Sequence, residues 1–153
     1  MRLTQFSDYS LRVLMYLAAT PKDELCSIQQ IADAYGISKN HLMKVTHQLG
    51  KWGFVETIRG RNGGLRLAKD PKEINIGTVV RHTEEDFHVV ECFDSGMCVL
   101  ADICRLRGVL GKALQAFFEV LDQYTLADLT ENRSNLQTVL MKVNNMDEKV
   151  ADK

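Results

Sequence analysis

Residues 27–67 constrain the fold of this chain more than any other stretch. Ser27-x-x-Gln30 fits a capping box, in which side chain and backbone pair reciprocally to open a helix at Ile28. Ile28, Ile31 and Ala32 then recur on one inward face. Tyr35-Gly36-Ile37 reads as a turn, and Ser38 as the cap of a second helix that Gly53 ends. On that helix Leu42, Val45, Leu49 and Trp52 share a face, while Asn40, Lys44, His47, Gln48 and Lys51 cluster towards the other. A short helix, a tight glycine-containing turn and a second helix with a polar outer side make a helix-turn-helix. Phe54–Ile58 is rich in strand formers, and Leu65-Arg66-Leu67 alternates as a return strand. The tip between them is Arg59-Gly60-Arg61-Asn62-Gly63-Gly64, whose Asn-Gly pair suits a hairpin turn. The expected fold is mainly α with a small β-hairpin wing. A winged helix-turn-helix occupies residues 1–83, with the helix-turn-helix at about 28–51 and the wing at about 54–67.

The flanking segments complete that plan. Leu11, Leu14, Met15 and Ala18 place a first helix from Asp8 to about Ala19, stopped by Pro21-Lys22-Asp23. Residues 75–83 read as a short helix burying Ile76, Val79 and Val80. Residues 84–104 read as a loop, and 105–130 as a long helix plus a short one opened by Thr125-x-x-Asp128. The long helix is expected from about Ile103 to Gln123. Its stripe of Leu106, Leu110, Ala113, Leu114, Phe117 and Leu121 is widened by Val109, Phe118 and Val120. That is more apolar surface than one core contact requires. The simplest cover is the same helix of a second copy, which makes it a dimerisation helix. Residues 131–153 form a polar tail, in which Leu136, Val139, Leu140 and Val143 allow one more weak helix and the last residues look disordered.

The net charge of −1 hides an uneven distribution. Residues 1–66 hold nine Lys/Arg against five Asp/Glu, and residues 38–66 hold six against Glu56 alone. A basic face on one lobe is the electrostatic footprint of a protein that binds DNA. A recognition helix offers its N-terminal residues to base edges, here Ser38, Lys39, Asn40 and His41, with Lys44 and Gln48 one and two turns on. Asn and Gln pair with adenine and Lys reaches guanine acceptors. Lys51 and Arg66 suit phosphate contacts. A glycine-rich wing tip allows close backbone approach, so Arg59 and Arg61, with Asn62 beside them, suit a narrow minor groove. A two-fold dimer would set two such helices about 34 Å apart on operator DNA.

Three of the four cysteines fall in one stretch, Cys92-x5-Cys98-x5-Cys104. The N-terminus shows no secretion signal and no apolar run approaches the roughly 18 residues of a membrane span, so a soluble, cytoplasmic protein with reduced thiols is expected. Clustered thiolates there hold zinc or an iron-sulfur cluster. Structural zinc favours cysteines two to four residues apart, whereas two gaps of five suit a loop around a larger object. Three thiolates leave one ligand wanting, with Asp8, His82, Glu85, His88, Asp94 and Asp102 as candidates. Cys26 reads as a small buried hydrophobe. No nucleotide loop or paired carboxylate-histidine set accompanies the cysteines, so the chain is not expected to be an enzyme.

The segments LTQFSDYSLRVLMYLA, SIQQIADAYGISKNHLMKVTHQL, RGRNGG with LRLA, INIGTVVR, the triple cysteine and YTLADL together resemble a known family. It is a family of dimeric iron-sulfur winged-helix regulators that includes nitric-oxide-sensitive repressors and the cluster-biosynthesis regulator IscR. The resemblance covers roughly residues 1–130. Where the IscR-like pattern has a histidine ligand three residues after the last cysteine, this chain has Arg107, which cannot serve. The nitric-oxide-sensitive pattern instead has an aspartate in the first helix, matched by Asp8. The resemblance therefore implies one [4Fe-4S] cluster per subunit, held by Cys92, Cys98, Cys104 and Asp8 of the partner chain, in a homodimeric repressor that releases DNA on sensing nitric oxide. The alternative is a sensor of iron-sulfur supply or redox state with a [2Fe-2S] cluster.

Overall fold

The computed structural model of the chain describes residues 2–94 and 98–140. The element order is α1 (Gln5–Ala19), α2 (Ile28–Tyr35), α3 (Lys39–Lys51), β1 (Val55–Ile58), β2 (Gly64–Leu67), α4 (Ile76–Thr83), α5 (Arg105–Leu121) and α6 (Leu126–Leu129). Single 3-10 turns occupy Pro71–Glu73 and Glu91–Phe93. This is a winged helix-turn-helix, mainly α with one two-stranded antiparallel hairpin.

Helix α1 is the centre of the packing. Val13 and Leu14 have no exposed surface, and neither do Ser7 and Ser10. Against it lie α3, α4, α6 and β2. Its start lies earlier than the apolar periodicity suggests. Thr4 is the N-cap, its Oγ1 accepting from the Ser7 amide at 3.2 Å, so Asp8 sits inside the first turn and is not the cap. The reason is local: a threonine hydroxyl reaches an amide three residues on, and the apolar stripe does not mark that position.

The helix-turn-helix forms as its residues demand. Ser27 and Gln30 make both bonds of the capping box, at 2.8 and 3.1 Å. Gly36 ends α2 in the left-handed conformation at φ 62°, which glycine adopts without steric cost. Leu42, Val45 and Leu49 seat α3 on the core, with Trp52 partly buried behind them. Ser38 holds the N-cap position of α3, but its hydroxyl makes no cap bond. The hairpin pairs Glu56 with Arg66, which form an ion pair at 2.9 Å. Main-chain bonds between Cys26 and Leu65, at 3.0 and 2.7 Å, tie the wing to the loop before α2. Cys26 is buried as expected, beside the Thr20 hydroxyl, and burial raises its thiol pKa.

Helices α4 and α5 meet in a polar lock. Arg81 grips Asp122 with two bonds, at 2.6 and 2.8 Å, and lies 4.2 Å over the Phe118 ring. Asn75 caps α4 and also donates to the carbonyls of Asp122 and Tyr124. Otherwise α5 is thinly covered: none of its 17 residues is buried, and Leu106 and Val109 are each 60% exposed.

The segment after α6 is more ordered than its polarity suggests. Residues 133–140 are helical, and we label them α7. Arg133 and Gln137 donate to the carbonyls of Ala19 and Thr20 at the end of α1, and Leu140 is buried. Apolar periodicity this weak underrates a helix whose charged side chain cements it to a neighbour's C-terminus. Val143 and the tail's last residues lie outside the described residues.

Two outcomes follow from the α4–α5 lock. A Cβ on Gly77 would lie 2.0 Å from the Asp122 Oδ1 and 2.9 Å from the Arg81 Nη1. Gly77→Ala, normally favourable within a helix, should therefore cost about 1–3 kcal/mol in urea unfolding by prising this pair apart. The hydrogen bond from Arg81 holds the Asp122 carboxyl below its usual range, as the Thr125 amide does for Asp128. A carboxyl depressed on folding contributes stability above its unfolded pKa, about 3.9, and that contribution is lost as pH falls through the folded value. Below about pH 4 the thermal midpoint should fall, and Asp122→Asn should flatten that acid limb without abolishing it.

Candidate nucleic-acid interface and cysteine segment

The residues expected to meet DNA lie on two neighbouring elements. Ser38, Lys39, Asn40, His41 and Lys44 are all exposed over the N-terminal half of α3 and its cap. They point outward because Leu42, Val45 and Leu49 take the opposite side of the same 3.6-residue period. Gln48 differs. It is half-buried, and its Oε1 is enclosed without a hydrogen-bond partner. In that rotamer it does not offer both amide atoms to a base. Lys51 is exposed at the end of α3, whereas the guanidinium of Arg66 is occupied by Glu56.

Arg59, Arg61 and Asn62 are exposed at the wing tip. The turn differs from the two-residue Asn-Gly type. Positive φ falls at Gly60, 118°, and among the described residues at no non-glycine residue, so Asn62 is not left-handed. The Gly63 amide donates to the Gly60 carbonyl at 3.1 Å, and a Cβ on Gly63 would lie 2.2 Å from the Ile58 carbonyl oxygen. Strand pairing stops at Ile58 and Gly64, which leaves a five-residue loop that the dipeptide signal does not specify. The consequence is a closely folded tip carrying the two positive charges of Arg59 and Arg61, with Glu56 the nearest acidic residue in sequence.

The three cysteines of the second motif are free thiols on the segment joining α4 to α5. Cys92 lies in the turn Glu91–Phe93, Cys98 is exposed, and Cys104 is the N-cap of α5, at the positive end of that helix's dipole. As donors they suit a cluster: they lie outside the hydrophobic core and have no disulfide partner. Among the described residues, however, no three His, Cys, Asp or Glu side chains converge as a metal-holding group. Asp8 is half-buried, and both of its carboxylate oxygens accept from Arg12, at 3.0 and 3.1 Å. His82 turns its Nδ1 to the Thr78 carbonyl and packs against the Trp52 and Phe54 rings. Arg107 is exposed on the first turn of α5.

A polar network absent from the sequence motifs connects this segment to α1. Glu84, directly after α4, accepts from the Thr4 amide at 2.8 Å, from the Thr4 hydroxyl at 3.0 Å and from the Ser7 hydroxyl. Ser7 also bonds Thr83 at 2.7 Å. A carboxylate at a helix N-terminus satisfies orphan amides and complements the dipole. Nothing in the sequence links Thr4 to a residue 80 positions away.

A helix-turn-helix with an exposed polar reading helix and a cationic wing defines a DNA-binding transcriptional regulator. The chain belongs to the Rrf2 family of iron-dependent transcriptional regulators, whose model matches residues 3–132. It is 58% identical over 142 residues to the HTH-type transcriptional regulator NsrR of Bacillus licheniformis, covering 92% of this chain and 99% of that one. Against the regulator of the same name in Bacillus subtilis the identity is 56%, with 92% and 97% covered. Among solved structures, the global cysteine regulator CymR of B. subtilis superposes with a TM-score of 0.71 at 27% identity, covering 86% of this chain and 98% of that chain. The T. potens IscR superposes at 0.72 and 26% identity, covering 90% and 91%. The chain is thus a regulator and not an enzyme. No helix of the described residues is long and apolar enough to cross a membrane.

Phosphate contacts and base contacts separate by experiment. Lys51→Ala, at an exposed position suited to a phosphate, should lower the slope of log Kobs against log salt by about one while leaving base preference intact. Asn40→Ala should instead relax preference at a single base pair by about 1–3 kcal/mol, read from binding to a panel of point-substituted duplexes.

Proposed function

We propose that this chain is a homodimeric, iron-sulfur-dependent repressor that releases operator DNA on sensing nitric oxide. The observation that carries the reading is the placement of three free thiols on the one segment that Glu84 ties to the N-terminus of α1. The similarity to regulators named NsrR supports the choice of signal.

In this reading Cys92, Cys98 and Cys104 supply thiolates, and Asp8 of the partner subunit supplies a carboxylate, to one [4Fe-4S] cluster per subunit. The group, when bound, supplies iron that reacts with nitric oxide. The chain's own residues do the rest. For Asp8 to act as a ligand it leaves Arg12, so the first turn of α1 exchanges an intrahelical ion pair for a tie to the other chain. An oxygen ligand is harder than a thiolate and holds soft iron less firmly, which makes Asp8 the natural first bond to yield. Because α1 packs on α3, a change at its first turn bears on the reading helix. The exposed apolar face of α5, from Leu106 through Val109 to Val120, would be covered by the same face of the second copy. Ser38, Lys39, Asn40, Lys44 and the wing residues Arg59, Arg61 and Asn62 would then engage two half-sites. The enclosed Oε1 of Gln48 sets it apart from them.

The test is anaerobic analysis of iron and sulfide per chain, together with operator binding before and after stoichiometric nitric oxide. The expected outcome is about four irons per chain and operator affinity lost on nitric oxide addition, with Cys92→Ala, Cys98→Ala and Cys104→Ala each failing to retain iron. Two irons with binding indifferent to nitric oxide would replace this reading by the [2Fe-2S] supply or redox sensor. Zinc, or no metal with intact operator binding, would remove the cluster altogether.

A further inference from the structure

The residue after Asp8 touches the reading helix. Tyr9 is half-buried, and its ring stacks on that of His41 with centroids 6.2 Å apart and planes inclined by 30°. His41 is the third residue of α3. One turn further along α1, Arg12, which holds Asp8, lies 5.7 Å over the ring of Tyr35, the last residue of α2. Burial pushes the Tyr35 phenol up to about 12, so Arg12 meets a neutral ring and the contact is cation–π. Between these two contacts lies the turn itself. It is closed by the left-handed Gly36 and by the Ile37 amide donating to the Ala32 carbonyl at 3.0 Å. The Asp8 turn of α1 therefore grips the helix-turn-helix on both sides of its turn.

We propose that Tyr9 and His41 form the contact through which the Asp8-bearing turn sets the N-terminal end of α3. On this account His41 is a positioning residue and not a base reader. The ring contact ties one side of the imidazole to α1 while His41 stays exposed, and a reading helix needs its first residues held to within about 0.5 Å of their working geometry. Moving the Asp8 turn then moves Lys39 and Asn40 relative to the bases. The regulatory half of this inference rests on the function proposed above; the positioning half rests on the ring contact alone.

The experiment uses the full-length protein and a duplex that the wild type selects from a randomised DNA pool. Tyr9→Ala and His41→Ala should each weaken binding about three- to ten-fold, and the double variant should bind no worse than either single one. Tyr9→Phe should keep wild-type affinity, and base preference should be unchanged at every position. Additive losses, or a His41→Ala variant that relaxes preference at one base pair, would overturn the proposal. Proton NMR of the metal-free chain provides a second readout that needs neither cluster nor DNA. There, Tyr9→Ala should remove the ring-current shift of the His41 signals. Asp8→Asn should move those signals in the wild-type background and leave them in place when Tyr9 is replaced. His41 signals indifferent to Tyr9 would overturn the proposal. Failure of the wild type to select a duplex or retain iron would instead count against the function proposed above, with the NMR arm still deciding whether the stack exists.

Discussion

The burial of α1 is the constraint on which the rest of this structure depends. Its apolar side, with Val13 and Leu14 fully enclosed, receives the reading helix, the wing strand β2, α4 and α6. A helix buried in this way must still satisfy the amides at its start and the carbonyls at its end. Both ends are served from far away in sequence. Glu84, Thr83 and the capping Thr4 close the first turn, while Arg133 and Gln137 take the last carbonyls. The helix thus has little freedom to shift without disturbing the elements around it, which suits an element that relays a change rather than absorbing one.

The seam between α4 and α5 plays the complementary part. Arg81, Asp122 and Asn75 lock the two helices where they meet, and Gly77 is the residue small enough to let them do so. Between α4 and α5 runs the segment carrying the three thiols, anchored at its start by Glu84 and entering α5 at the N-cap position of Cys104. Phe87 packs edge-on against Phe118 at 4.6 Å and adds an apolar stitch near that start. The segment is thus fastened over its first residues, while Cys98 is exposed. The exposed leucine and valine side chains of α5 stand beside it, a surface that a monomer gains nothing by leaving in water.

Much of this architecture is legible in local sequence. The capping box at Ser27, the glycine turn at Gly36, the apolar face of α3 and the second capping box at Thr125 each depend on residues within one or two turns of each other. Such signals survive without knowledge of the fold because their partners are neighbours along the chain. Local reading was less reliable where two local signals competed. The apolar periodicity of α1 obscured the cap at Thr4, and the Asn62-Gly63 pair drew the wing turn away from Gly60.

By itself the sequence determined that there is a reading helix with a polar outer face, a cationic wing behind it and three thiols in a segment outside the core. These follow from periodicity, turn chemistry and composition, all of which act over short chain separations. Tertiary structure alone decided that Glu84 closes the first turn of α1, that Arg133 caps its end and that Arg81 grips Asp122. It also decided that Tyr9 rests on His41 and that the oxygen of Gln48 faces inward. These pairings join residues tens of positions apart whose types are common on any surface. Only the burial of α1, which brings those surfaces together, singles them out.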